Sequence, residues 1–245
     1  MSSASESRLG VGVVGAGRVG PVLARALAGA GHAITGISAI SAESRERADA
    51  MLPGVPVLEV AEVVRRSELV LFAIPGEELP GLIAGLTATG AWQPGQLVIH
   101  TAPEFGYGVF APAMAAGVIP LALHPALTFT GTSLDLTRLA GASIAVTAPA
   151  PVLPIGLALA VEMGAEPIAI AEADRPAYAD AVGAAGDLVG AVVRQGLDAL
   201  REIRVEHPAL LLGGLVRAAL EEALATGSGS EGLGHEGPEL GPDET

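Results

Sequence analysis

The decapeptide Val11-Gly-Val-Val-Gly15-Ala-Gly17-Arg-Val-Gly20 constrains the fold more than any other stretch of the chain. Gly15, Gly17 and Gly20 keep a G-x-G-x-x-G spacing, directly after an apolar run and directly before a helical pattern. Each glycine has a separate reason to be there. The first takes a tight turn, the second lets backbone approach a pyrophosphate, and the third allows close packing of helix on strand. The anion then rests on a helix N-terminus, where free N–H groups and the helix dipole favour it. The whole loop, Gly15, Ala16, Gly17, Arg18, Val19 and Gly20, is therefore expected to hold a dinucleotide.

The same alternation continues down the chain. Apolar runs of four to six residues, "LGVGVV", "AITGIS", "VPVL", "LVLFAIP", "QLVIHT" and "VIPLALH", are separated by helical patterns. Those patterns cover about 18–30, 42–51, up to 66, from 77, and 109–116. Two further runs, "ASIAVTA" and "EPIAI", flank a helical pattern over 152–163, giving eight expected strands. Nearly all-apolar strands alternating with helices imply a mainly parallel sheet covered on both faces. After Ile170 only two long helical patterns remain, with Pro208 suited to the first turn of the second. The expected organisation is a doubly wound α/β Rossmann domain over 8–170 and a smaller all-helical domain over 171–226. Short disordered ends are expected at 1–7 and 227–245. The second of these has six glycines, five acids and no Lys or Arg, a composition that cannot build a core.

Composition removes several function classes. The formal charge is −14, which argues against nucleic acid and anionic membrane surfaces as partners. With no cysteine, disulfides and thiolate chemistry are excluded, and all 13 basic residues are arginine, so lysine Schiff bases are excluded too. No metal-ligand spacing of His with acids appears. The segment "MSSASESRLG" lacks the apolar run of a secretory signal, and the long uncharged stretches are broken by Pro and Gly. A cytoplasmic protein with no membrane span is expected.

Cofactor choice is written near the end of the second strand, where an Asp or Glu holds the ribose 2′-hydroxyl of NAD. Here the chain reads "GISAISAESRER", with Ser38-Ala-Ile-Ser41 in that place. Ser41, Ser44, Arg45 and Arg47 could surround a 2′-phosphate, which favours NADP and leaves NAD possible. The plainer alternative is that Ser41 caps a helix and the arginines lie on its solvated face.

In a doubly wound sheet, ligands lie outside the carboxyl ends of the strands. Ile74-Pro75, His100-Thr101 and His124-Pro125 close three of those ends. A histidine can be tuned towards neutrality, so His124 is the first candidate for a proton donor to a small-molecule substrate. Its plainer role is to end the strand and hold the following loop. Thr101 is the candidate partner of a nicotinamide amide, His100 either lines the cleft or is a core histidine, and Asp187 either reaches into the cleft or lies on a solvated stripe.

The strings "GAGRVG", "LVLFAIP" with "GEEL", "QLVIHT" and "LALHPALTFTGT" resemble bacterial Rossmann-like oxidoreductases with a C-terminal helical domain of unknown function. That group is distantly related to pyrroline-5-carboxylate reductase, ketopantoate reductase and the 6-phosphogluconate dehydrogenase superfamily. The resemblance covers about residues 8–225. It implies NAD(P)-dependent reduction of a small carbonyl or imine and a homodimer built through the C-terminal helices. The chain departs from the group at Ala102, where a serine is usual. It also departs at Ala184 and Asp187, where histidine and asparagine are usual, and at Glu222. These changes leave a second possibility, a dinucleotide-binding protein without catalysis.

Overall fold

The computed structural model describes residues 8–228, so the expected disordered ends lie outside it, except that Gly227 and Ser228 close the last helix. The chain divides after Val182 into two compact units. The first is built around a seven-stranded sheet. In chain order it runs β1 (Gly10–Val14), α1 (Gly20–Gly29), β2 (Ala33–Ser38), α2 (Ala42–Met51), α3 (Val60–Arg65), β3 (Leu69–Phe72) and α4 (Leu79–Ala88). Then come β4 (Leu97–His100), α5 (Ala111–Met114), β5 (Ile119–Pro125), α6 (Leu134–Leu139), β6 (Ser143–Thr147), α7 (Leu153–Glu162) and β7 (Glu166–Ala169). The helix α8 (Arg175–Glu202) starts in this unit and continues into the second, which also holds α9 (Pro208–Ser228).

The strand order is β2-β1-β3-β4-β5-β6-β7. Pairing is parallel except where β6 runs against β5. From β1 the chain moves outward to β2, then returns to β3 on the other side of β1. That reversal opens a crevice at the carboxyl ends of β1 and β3, where a doubly wound sheet binds ligands.

One expected strand is absent. Residues 55–58 make only a single bridge, Ile37 to Val57, on the outer edge of β2. Pro56 accepts from the Ile37 amide but has no N–H to return, so the ladder cannot extend. The helix expected over 109–116 is a 3₁₀ turn, Tyr107–Phe110, followed by the four-residue α5. The short α6 carries too little apolar periodicity to be read from sequence.

The apolar strands hide a strict division of faces. Val11, Val13, Leu69, Leu71, Ile99, Leu121, Leu123, Ile144 and Val146 join one buried cluster with residues of α1 and α7. Val70, Phe72 and Val98 join a second cluster with residues of α3 and α4 and with Phe110. Successive strand residues point to opposite faces. His100, Ala122 and His124 therefore share the second face, level with Thr147 and Ala145 across the β5–β6 ladder.

Candidate functional site

The glycine loop has the geometry its spacing requires. Gly15 takes φ +102°, and a Cβ there would come within 2.4 Å of the Ala73 carbonyl oxygen. A Cβ on Gly20 would meet the Gly15 carbonyl oxygen at 2.1 Å, so no other residue lets α1 begin so close under the turn. Gly17 differs: a Cβ there would meet nothing within 4 Å. Its backbone is the open cradle, and α1 begins behind it with no side chain capping its free N–H groups.

This loop forms one wall of a crevice of about 520 Å³. Gly15, Ala16 and Gly17 line it with Ser38, Ser41 and Ser44 from the β2–α2 connection and Ile74 and Pro75 from the end of β3. Ser38 ties the two walls together, its hydroxyl accepting from the Gly15 amide at 3.0 Å. Ser41 caps α2, accepting from the Ser44 amide at 3.1 Å, while it faces the crevice. The Nε of Arg45 lies 3.4 Å from the Ala39 carbonyl, folded over the same connection. Arg47 does not lie on a solvated face. It donates to the Ala16 carbonyl at 2.9 Å and to Glu43 at 2.6 Å, so the acid nearest to the end of β2 is occupied. Arg18 is exposed beside the loop and Val19 half-buried.

The loop after His124 leans on this structure. A Cβ at Gly131 would meet Arg47 at 3.1 Å and the Arg18 Cα at 3.2 Å. His124 does not hold that loop. The buried carboxylate of Asp135 does, accepting from the Thr130 and Gly131 amides at 2.8 Å and from the Thr130 hydroxyl at 3.0 Å. Burial alone would raise the Asp135 pKa, but these donors outweigh it and keep the carboxyl below its usual range.

A second constellation lies on the β4–β5–β6 side. The Nδ1 of His124 is 2.7 Å from the hydroxyl of Tyr178 on α8, with the two rings nearly perpendicular. Tyr178 also covers the guanidinium of Arg175, 5.6 Å from its ring centre. Arg175 is wholly buried. Its Nε donates to Thr147 at 2.7 Å, and Nη2 to the carbonyls of Ala122 and Ala145 at 3.0 and 3.1 Å. Among the described residues its Nη1 has no hydrogen-bond partner. One arginine thus staples β5 to β6 through uncharged acceptors only.

His100 is fully buried, with Nε2 at 2.9 Å from the Gly106 carbonyl, so that nitrogen carries the proton. Its Nδ1 has no partner among the described residues. Burial lowers its pKa from 6.5 to about 4, against the Gly106 bond and with help from Arg175 and His124. Burial, then Arg175, lowers His124 by as much, also to about 4. Both rings are neutral at pH 7. His124 can serve a proton transfer as a neutral imidazole, not as a resident imidazolium. Thr101 is half-buried at the end of β4, its amide bonded to the Phe72 carbonyl at 3.2 Å. Asp187 lies on α8 in the second unit.

Sequence reasoning missed Tyr178, Arg175 and Asp135. The signal for Tyr178 was rarity: the chain has two tyrosines, and this one stands three residues after Arg175, on the same helix face. Nothing local marked Arg175 as buried.

The two depressed histidines fix a pH dependence. Below their unfolded value of 6.5 the unfolded chain binds protons that the native chain refuses, so stability is lost as pH falls from about 6.5 to about 4. Melting temperatures measured through this window should fall steeply, and less steeply in a His124→Gln variant.

Residues 1–125 match the Rossmann-like domain family, and residues 142–231 match DUF2520, a domain of unknown function. Among solved structures, the fold is shared with a Bacteroides fragilis protein assigned as an NADP oxidoreductase. It has a TM-score of 0.73 and 16% identity, over 89% of this chain and 81% of that one. It is also shared with a pyrroline carboxylate reductase of Plasmodium falciparum with NADP bound, at TM-score 0.60 and 13% identity, over 91% and 80% of the two chains. A glycerol-3-phosphate dehydrogenase [NAD(P)+] of Lactobacillus delbrueckii subsp. bulgaricus is 33% identical over 103 residues. The match spans 38% of this chain and 30% of that enzyme. With half of its length matched and the sheet order and glycine turn in place, the chain belongs to the Rossmann-like domain family, here followed by a DUF2520 domain.

Proposed function

We propose that this protein is a nicotinamide-dinucleotide-dependent oxidoreductase that prefers NADPH and reduces a small carbonyl or imine. The observation that carries the reading is the open backbone at Gly17, framed by a Gly15 and a Gly20 that no other residue can replace, at the mouth of a crevice of about 520 Å³. The pyrophosphate would rest on the Gly17 and α1 amides, and the adenosine end would lie over Ser38, Ser41 and Ser44. The absence of a free acid at the end of β2, with Arg45 folded over the same connection, favours a 2′-phosphate there. When bound, the reduced nicotinamide supplies a hydride. Thr101, at the end of β4, would orient its amide. The Tyr178–His124 pair would hold the proton that the substrate takes. The names of the structural neighbours support the same class of chemistry.

The reading is tested by titrating the purified protein with NADPH and NADH and following nicotinamide fluorescence. NADPH should bind at micromolar concentration and NADH at least tenfold more weakly, with Arg45→Ala narrowing the gap. Gly17→Val should weaken both at least tenfold without lowering the melting temperature, because its Cβ enters open space. No binding of either dinucleotide would end the oxidoreductase reading.

The second unit supports an assembly as well. Leu188, Val192, Leu211, Leu215 and Leu224 are each more than 60% exposed on α8 and α9, and Leu188 and Val192 line an apolar cleft with Val216 and Leu220, the kind of surface that marks an interaction site. A second copy of the chain is the proposed occupant, through these helices. Sedimentation velocity should return a dimer that Val192→Glu with Leu215→Glu converts to monomer; a wild-type monomer at high concentration would refute it.

A further inference from the structure

Carbonyl and imine substrates both suit a hydride-transferring oxidoreductase, and the charges around Tyr178 separate them. A buried guanidinium normally sits against a carboxylate, because desolvating a lone cation costs several kcal/mol. Arg175 bonds to a threonine hydroxyl and two carbonyls, faces the Tyr178 ring, and has an unpartnered Nη1 among the described residues. The carboxylate it feels most is Glu172. That side chain is already committed, its two oxygens accepting from the Tyr107 and Gly108 amides at 2.9 Å each. Among the described residues the guanidinium therefore has no anion hydrogen-bonded to it, and Glu172 acts on it only through space.

We infer that Tyr178 is the catalytic proton donor, that Arg175 is the residue positioning and polarising it, and that the substrate is accordingly a ketone or aldehyde and not an imine. This rests on the oxidoreductase reading. As hydride arrives at a carbonyl carbon, the electron pair of the C=O bond moves to oxygen. That oxygen takes the proton of Tyr178 Oη, and the phenolate recovers one from solvent. In the tautomer that carries its proton on Nδ1, His124 donates to the same Oη, and Arg175 supplies charge beneath the ring. Both stabilise the phenolate, and the field of Arg175 favours the growing negative charge on the substrate oxygen as well.

An imine makes opposite demands. It is reduced as its protonated, cationic form, and the amine product is again cationic. Arg175 repels both, Glu172 offsets that only at a distance because its oxygens are bonded to the Tyr107 and Gly108 amides, and both histidines stay neutral. A phenol is also too weak an acid to protonate an imine beforehand, whereas a nascent alkoxide is basic enough to take its proton. Burial raises the Tyr178 hydroxyl further and Arg175 draws it back, which fits a donor to alkoxide.

The first experiment needs no turnover. Tyrosinate absorbance of the full-length protein is followed against pH, and Tyr178→Phe identifies which of the two tyrosines gives each midpoint. Arg175→Met should raise the Tyr178 midpoint and Arg175→Lys should largely restore it. An unchanged midpoint in a folded Arg175→Met protein would overturn the positioning role.

The second experiment offers the wild type, with NADPH, small aldehydes, cyclic ketones and 2-oxo acids beside cyclic imines of matched size. Carbonyls should be reduced at least tenfold faster, and Tyr178→Phe should lose about 100-fold or more of that rate with NADPH affinity retained. Faster reduction of imines, or a Tyr178→Phe protein as active as wild type, would overturn the inference while leaving the oxidoreductase reading intact. NADPH binding with neither class reduced would refute that reading and the inference with it. If the Arg175 variants fail to fold, the substrate comparison and Tyr178→Phe still decide.

Discussion

The close approach of α1 to the end of β1 is the contact on which the rest of the first unit depends. Gly15 turns the chain at φ +102°, and Gly20 passes so near the Gly15 carbonyl oxygen that a side chain would fall 2.1 Å from it. Only with both glycines can a helix begin directly above the sheet edge, its free amides facing outward. Its position sets that of β2, since the Ser38 hydroxyl holds the Gly15 amide, and that of α2, since Arg47 holds the Ala16 carbonyl. The loop closed by Asp135 packs on the same two residues' neighbourhood through Gly131. Ser38, Arg47 and the Gly131 loop thus all refer to one turn.

The far side of the sheet solves a different problem. There β6 reverses direction, and the strand pair it forms with β5 is held from beneath by Arg175. A hydrophobic residue could fill that space at lower desolvation cost. The guanidinium instead lies under an aromatic ring whose hydroxyl meets His124, towards the carboxyl end of β5. The charge is a stability cost that a purely structural staple would not need, in keeping with the positioning role proposed for Arg175.

The doubly wound sheet, the glycine loop and α2 were legible in the sequence because each rests on local spacing: apolar runs of strand length, three glycines, a serine cap at Ser41. The false strand at 55–58 had the right apolar run, but Pro56 removed the donor that a ladder needs. The candidate proton-transfer site was only half legible. His124 announced itself by ending an apolar strand, yet its partner stands 54 residues further on, on a helix whose register against the sheet no local pattern records. The same holds for Arg175, which reads as a surface residue at a helix start and is buried only because β5 and β6 offer it carbonyls. Which face His100 and His124 share followed from strand register, since a one-residue slip would have sent both to the opposite side.

In the function proposed for this chain, the glycine crevice and the Tyr178–His124 pair serve one ligand along one sheet edge. A crystal structure of the NADPH complex tests this most directly. The pyrophosphate is expected over Gly17, the 2′-phosphate near Ser41 and Arg45, and the nicotinamide beside Thr101 with its reactive face towards Tyr178. A nicotinamide directed away from Tyr178, or a dinucleotide bound elsewhere, would contradict it.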